Sequence, residues 1–357
     1  VTSLAIVPIV DNHTMASYRV NTPTGCPGAW MVNQHKPVVV VLTGDDTPPG
    51  MTPAHRLADV RHVGADDLAT ALVDADALFV WDFRSTAVGA AWPREGGPRW
   101  VHIASAGVDR LLSPELVASG VVVTNSRGLF EDPIADYVLT LVLCFAKGLH
   151  TTLRRQGQRR WVHRETEPVA GARALVVGTG PIGRAIGRRL TTLGLHVTGA
   201  GRTARQGDRD LGEIVGPDGL RAALADAGHV VLAAPLTEAT RGMVDGAALA
   251  AMRPAARLIN VGRGELVVQS DLVAALREGR IAGAALDVFE QEPLPEDSPL
   301  WDLPNVIVSP HMSGDLVGRR DHLVVLFLDN LRRFAAGAPL RNVVDKTLGY
   351  VPGAPAR

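Results

Sequence analysis

The stretch Arg173 to Gly194, RALVVGTGPIGRAIGRRLTTLG, leaves this chain few folds to choose from. Ala174 to Val177 is a short apolar, β-branched run, and Gly178, Gly180 and Gly183 follow at once in GxGxxG spacing. A side chain at the first glycine blocks the turn; at the second it pushes a pyrophosphate away; at the third it holds the helix off the strand. Pro181 suits a first helical turn, and Ile182, Ile186, Leu190 and Leu193 give the helix one apolar face. The N–H groups at the start of that helix then point at an anion. A second strand expected at Leu195 to Ala200 completes the context the motif requires. The implied ligand is a dinucleotide, touched by Gly178, Gly180, Pro181, Ile182 and Gly183.

Beyond that second strand, such folds place an acid that binds the adenosine ribose 2′-hydroxyl. This chain has Gly201, Arg202, Thr203, Ala204 and Arg205 instead. No carboxylate is there to repel a 2′-phosphate, and Arg202 and Arg205, with Thr203, are placed to pair with one. The reading is NADP in preference to NAD, the alternative being a solvated basic loop.

The whole chain sets the limits. Its 357 residues suffice for two domains with their own cores. With 36 basic and 37 acidic residues there is no charge reason to expect nucleic acid. Two cysteines, Cys26 and Cys144, make neither a disulfide framework nor a zinc site, so no metal and a cytoplasmic setting are expected. Pro133 to Leu149 is the most apolar run, but Asp136 and Lys147 interrupt it and it is too short to span a bilayer. A buried helix is the better reading.

Residues 1 to 35 show little periodicity and read as a poorly ordered extension. From Pro37 the chain alternates: strands at Val38 to Leu42, Ala77 to Val80, Trp100 to Ile103 and Val121 to Thr124, and a helix at Asp66 to Asp74. That is a small α/β unit in its own right. Two of its loops stand out. Ser105 to Asp109 follows a strand with small residues whose N–H groups can approach a carboxylate, and Arg84 lies just past the Ala77 to Phe83 segment. Ordinary turn chemistry explains either loop equally well.

The basic stretch Arg154 to Arg164, with Trp161, fits an oligomer contact or a solvated face. Past Arg205 the alternation resumes: helices at Asp218 to Ala227, Asp245 to Met252 and Ser270 to Glu278, and strands at His229 to Ala234, Arg257 to Val261, Gly283 to Leu286 and Val306 to Val308. Asp245 and Ser270 suit N-caps. The pattern predicts a doubly wound sheet of six or so parallel strands with the glycine turn on its first.

Ligands of open parallel sheets collect at the carboxyl ends of the strands. Arg263 follows one strand, Asp287 the next and His311 the last, with Glu290 and Glu292 in the loop between the last two. Hydride transfer to a carbonyl needs a proton donor, a group that keeps the donor protonated and a group that fixes the substrate. His311, a nearby glutamate and Arg263 suit those tasks. Singly, each also reads as a core histidine, a solvated acid or a loop-capping arginine. Their placement together on one sheet edge favours the set.

The segments SAGVDRL, GTGPIGRAIG, LAAPLTEATRGMVD, LINVGRGELV, AALDVFEQEPLP, SPLWDLPNVIVSPHMSG and RNVVDKTLGYVP resemble the D-isomer-specific 2-hydroxyacid dehydrogenases, from about Trp100 onward. The resemblance implies Arg263, Glu292 and His311 as the catalytic set, selecting Glu292 over Glu290. It implies Val261 and Asp287 near the nicotinamide carboxamide, with Ala234, Pro235 and Gly314 as further cofactor contacts. It implies Ala106 and Gly107 as backbone donors to the substrate carboxylate, joined by Arg84 and Arg263. The Gly201 to Thr203 segment is similar to NADP-using glyoxylate and hydroxypyruvate reductases within the family.

The layout so implied is α/β throughout: two Rossmann or flavodoxin-like domains, each a doubly wound parallel sheet, with a deep cleft between them. The substrate domain would take residues 36–131 and 315–340, the dinucleotide domain 132–314, and a tail 341–357. Homodimers would form through the dinucleotide domain. The activity implied is reduction of a small 2-oxoacid to the D-2-hydroxyacid. A dinucleotide-sensing corepressor is the alternative within the family, and a formate dehydrogenase is disfavoured by a glutamate, not a glutamine, at position 292.

Overall fold

The computed structural model describes residues 36–352; the expected extension at 1–35, with Cys26, and the last five residues lie outside them. Two sheets organise the chain, both parallel except for one antiparallel edge strand in the second. The first has five strands, β1 (Val38–Leu42), β2 (Asp59–Val63), β3 (Ala77–Val80), β4 (Trp100–Ile103) and β5 (Val122–Thr124), in the order β2-β1-β3-β4-β5. β1, VVVVL, lies between two neighbours and is buried at four of its five positions, as a β-branched run in a covered sheet should be. One face of this sheet is closed from far along the chain. The Arg319–Ala335 helix lays Phe327 flat on Phe79, with ring centroids 4.0 Å apart, and on Trp100 at 5.5 Å. A buried Phe of this kind costs about 3–5 kcal/mol to truncate.

The second sheet has eight strands: β6 (Arg173–Val177), β7 (His196–Ala200), β8 (Arg205–Asp208), β9 (Gly212–Val215), β10 (His229–Leu232), β11 (Arg257–Asn260), β12 (Gly283–Leu286) and β13 (Val306–Val308). Their order is β13-β12-β11-β10-β6-β7-β9-β8. From β6 the chain builds outward through β7, then returns to β6's other flank for β10. The carboxyl end of β6 is therefore a topological switch point, and the glycine turn sits on it.

The hairpin β8–β9 corrects the expected six-strand count. Its sequences, RQGD and GEIV, are too polar to read as strands, yet Leu211 and Ile214 are fully buried against the glycine-turn helix. Gly187 makes this possible: a Cβ there would stand 2.4 Å from the Asp210 carbonyl. Other expectations shift as well. The helix placed at Asp66 to Asp74 is one turn, Leu68–Ala71, and the apolar helix runs Glu131–Ala146 before Gly148 enters the left-handed region at φ 58°. A second helix, Leu149–Gly157, follows; Trp161 beyond it is wholly exposed.

Asp245 caps its helix by accepting the Ala248 N–H at 2.9 Å. Ser270 is not a cap. That helix begins at Gln269, whose N–H donates to the Glu290 carboxylate at 2.9 Å. Residues 341–352, expected as a tail, fold back onto the first sheet: the Val344 N–H donates to the Val123 carbonyl at 2.8 Å, and the Asn342 amide to the Arg127 carbonyl at 2.7 Å. Among the described residues no single helix is long and apolar enough to cross a membrane.

Candidate active site

The three glycines of the turn are needed for three different reasons. Gly178 has φ 110°, and a Cβ would sit 2.6 Å from the backbone of Ala233 and Ala234. Gly183 touches the carbonyl of Gly178, where a Cβ would come to 1.8 Å and force the helix off the strand. Gly180 meets nothing within 4 Å. Open space over the middle glycine, at the N-terminus of the Pro181–Thr192 helix, is what a pyrophosphate requires, and the N–H groups of Thr179 and Gly180 have no acceptor among the described residues. The residues present fit a dinucleotide. Ala234 and Val261, at the ends of neighbouring strands, are 8% and 7% exposed, forming a tight floor beside the turn.

At the adenosine end the two arginines differ. Arg205 belongs to β8, and its guanidinium pairs with Asp208 at 3.0 Å; Arg184 grips the same carboxylate at 2.9 Å. Burial would raise the Asp208 carboxyl, but Arg184, the Asp210 N–H and Arg205 together outweigh it and hold it down to about 2. Arg205, expected to meet a 2′-phosphate, is thus already committed to a carboxylate. Arg202 has no carboxylate partner among the described residues; it lies over the Tyr350 ring at 5.4 Å and donates to its hydroxyl.

The reactive end is built by the loops after β11, β12 and β13. His311 holds φ 54°, a left-handed conformation that costs a non-glycine residue, and the surrounding loop must therefore be pinned. Asp287 pins it. This buried carboxylate accepts the Ser309 hydroxyl at 2.7 Å and the N–H groups of Met312 and Ser313, each at 2.9 Å. Asp287, expected beside the nicotinamide carboxamide, thus has its carboxylate turned into the histidine loop. Gly314, expected as a cofactor contact, also gives room to Phe130, which a Cβ would meet at 2.8 Å.

The His311 Nδ1 lies 2.9 Å from Oε2 of Glu292, whose Oε1 accepts the Phe289 N–H at 3.1 Å. Burial pushes the Glu292 carboxyl up, but the imidazole, the Phe289 N–H and Arg110 outweigh it and keep it below the ordinary carboxylate range. An ionised Glu292 fixes the proton on Nδ1, supports an imidazolium and leaves Nε2 to deal with a substrate. Of the two glutamates in this loop, Glu292 is the one paired with His311, while Glu290 accepts the Gln269 N–H at the start of its helix.

Arg263 reaches across to the first sheet. Its Nη2 lies 2.9 Å from Asp109, its Nε donates to the same carboxylate at 3.1 Å, and its Nη1 donates to the Gly262 carbonyl at 2.8 Å. The guanidinium lies so close to Gly107 that a Cβ there would fall 1.8 Å from Nη2. The loop carrying Gly107 is fixed by its carbonyls: Ser105 Oγ donates to Gly107 O and Asn125 to Ala106 O, both at 2.6 Å. The N–H groups of Ala106 and Gly107 have no acceptor among the described residues, so beside Arg263 they form an anion nest. Arg84 is exposed at the rim, its guanidinium 5.4 Å from the Phe83 centroid and apart from Arg263, Glu292 and His311.

The structure therefore gathers Arg263, Glu292, His311, Ala106 and Gly107 and leaves Arg84 apart. Asp109 and Arg110 are the residues that sequence reasoning missed. Both lie within the SAGVDRL loop it singled out, but nothing in the sequence reveals which distant side chain a loop residue will meet.

The profile of the D-isomer specific 2-hydroxyacid dehydrogenase NAD binding domain matches residues 139–313. The glyoxylate reductase of Korarchaeum cryptofilum is 33% identical over 67% of this chain and 74% of its own length. Glyoxylate/hydroxypyruvate reductase A of Photorhabdus laumondii is 31% identical over 71% and 82%. Among solved structures, a D-isomer specific 2-hydroxyacid dehydrogenase from Xanthobacter autotrophicus, crystallised with NADPH and MES, is 33% identical with a TM-score of 0.75, over 88% of this chain and all of the other. An NADPH-dependent glyoxylate/hydroxypyruvate reductase from Sinorhizobium meliloti, with NADP and sulfate, gives 27% and 0.73 over 88% and 100%. With the switch-point glycine turn and the imidazole–carboxylate pair on one sheet edge, these similarities establish that the chain belongs to the D-isomer-specific 2-hydroxyacid dehydrogenases, a family of oxidoreductases.

Proposed function

We propose that this chain reduces a small 2-oxoacid, of the glyoxylate or hydroxypyruvate kind, to the D-2-hydroxyacid, with NADPH preferred. The observation that carries the reading is the 2.9 Å pairing of His311 with Glu292, next to a nest of backbone N–H groups and a guanidinium. The bound nicotinamide supplies the hydride. His311 delivers the proton to the carbonyl oxygen from Nε2, Glu292 holds the imidazolium through Nδ1, and Arg263 with the Ala106 and Gly107 N–H groups orients the carboxylate. In the oxidative direction the same imidazole accepts the proton. The pyrophosphate would rest on Gly178 to Gly183, with Pro181, Ile182, Ala234, Pro235 and Val261 around the dinucleotide.

The NADP preference rests on Arg202 and Thr203, and the partly neutralised Arg205 adds less. The relatives crystallised with NADPH and NADP support it. A cytoplasmic homodimer joined through the dinucleotide domain completes the proposal, and the exposed Leu149, Leu153 and Trp161 support a contact there.

Turnover of a panel of 2-oxoacids with NADPH and with NADH tests it. His311→Ala is expected to lower kcat about 10²- to 10⁴-fold while NADPH binding, followed by fluorescence titration, is kept. Unchanged turnover refutes the assignment. Arg202→Ala should weaken NADPH binding about tenfold to hundredfold and leave NADH untouched, since a charge-assisted hydrogen bond is worth roughly 1.5–3 kcal/mol.

A further inference from the structure

The loop that ends in Asp109 and Arg110 comes from the first sheet, yet its two charges fall on catalytic residues of the second, with opposite sign in each case. Asp109 holds Arg263. Arg110 places Nη2 3.5 Å from Oε2 of Glu292, the same oxygen that lies 2.9 Å from His311 Nδ1. Its other terminal nitrogen, Nη1, donates to the Arg84 carbonyl at 3.2 Å, which anchors the side chain on its own domain. One carboxylate oxygen therefore has two cationic claimants, one from each side of the cleft.

We propose that Arg110 is a positioning residue for proton delivery: reaching over from the first sheet, it shares Glu292 Oε2 with His311 and so loosens the imidazole's hold on the proton that the substrate oxygen takes. The inference rests on the reading of His311 as the proton donor. In the reduction, hydride adds to C2 of the oxoacid, the carbonyl π pair moves onto the oxygen, and that oxygen takes the proton from His311 Nε2. The imidazole is left neutral, and Arg110 gains and loses nothing. Without Arg110, Glu292 would serve His311 alone and favour the imidazolium. With Arg110 in place, part of that carboxylate's field is spent on the guanidinium, and a second positive charge stands near the ring, so release is favoured.

The other charged groups around His311 are already engaged. Asp287 beneath it is held by Ser309, Met312 and Ser313; Asp109 and Arg263 neutralise each other on the facing wall; and Tyr137 approaches Ser309 from the Glu131–Ala146 helix. Arg84 stays at the rim. Arg110 is thus the cation whose removal changes the field at Glu292 without opening another pair.

The test is a titration of the His311 imidazole by NMR in the cofactor-free protein, its resonance identified by its loss in His311→Gln. Wild type is compared with Arg110→Gln and Arg110→Lys. Arg110→Gln is expected to move the titration midpoint upward by about half to one pH unit, and to move the pH at which kcat/KM for oxoacid reduction falls by the same amount. Arg110→Lys, which keeps the charge, should restore at least about half of the shift. An unmoved midpoint in Arg110→Gln overturns the inference, as does an equal shift in Arg110→Lys. Undiminished turnover in His311→Gln would instead overturn the reading of His311 as donor, so the two failures are told apart.

Discussion

Asp109 and Glu292 are two carboxylates of one cleft, similarly buried, with side-chain exposures of 21% and 15%. In both, burial pushes the carboxyl up and a cation more than reverses it, so both lie below the ordinary range. What separates them is the partner. Arg263 is a guanidinium, a group that only holds and orients, whereas the His311 imidazole belongs to the type of side chain that can pass a proton on. Asp109 can therefore govern only where a guanidinium stands, and Glu292 can govern when a proton moves. Burial and charge alone would not distinguish a strut from a member of the reaction.

Removing each in turn makes that contrast measurable. Glu292→Gln is expected to have the largest effect, lowering kcat about a hundredfold and shifting the fall of the reduction rate to lower pH, because a neutral amide no longer supports the imidazolium. A pH profile with unmoved limbs would place Glu292 with Asp109 as a strut. Gly107→Ala should come next. Its methyl must displace Arg263, and about a tenfold to hundredfold loss in kcat/KM is expected, with the pH limbs in place.

Asp109→Asn leaves shape intact and removes only the charge that orients Arg263. About a tenfold rise in the oxoacid KM is expected, with little change in kcat or its pH dependence; a shifted limb would break the distinction. The smallest effect is on stability. The Asp109 carboxyl is depressed from its ordinary value of 3.8, so the stabilisation it gives is fully present above that value and is lost as pH falls through the lower, folded one. Urea unfolding should show wild type exceeding Asp109→Asn by about 1 kcal/mol or less at neutrality, the two converging as pH falls below the ordinary carboxyl value of 3.8.

What could be read from the residues was whatever the backbone dictates locally. The Gly178–Gly183 turn announces its strand, its helix and the open space above Gly180 because each glycine answers a contact within a few residues or in the adjacent strand. The strands read correctly were apolar runs, such as β1 and β10, buried on both faces. β2, DVRHV, was missed because as an edge strand it is only partly covered, and β8–β9 because its core contribution is two residues, Leu211 and Ile214.

Arg263, Glu292 and His311 were legible because each follows a strand on a predictable edge. Asp109 and Arg110 were not, since their partners lie on the other sheet and long-range charge pairing leaves no periodicity. Arg205 is the converse case: it is conspicuous in the sequence, but nothing there shows that the carboxylate three residues on pairs with it.

The seating of Phe327 on Phe79 and Trp100 has a consequence for how the molecule is made. The half translated first cannot finish its aromatic face until the Arg319–Ala335 helix has cleared the ribosome, whereas every strand of the second sheet has emerged by Val308. Biosynthesis thus completes the two halves in the reverse of their order along the message, and a released fragment ending near Arg319 would carry every strand of the nucleotide fold attached to an uncovered, aggregation-prone sheet.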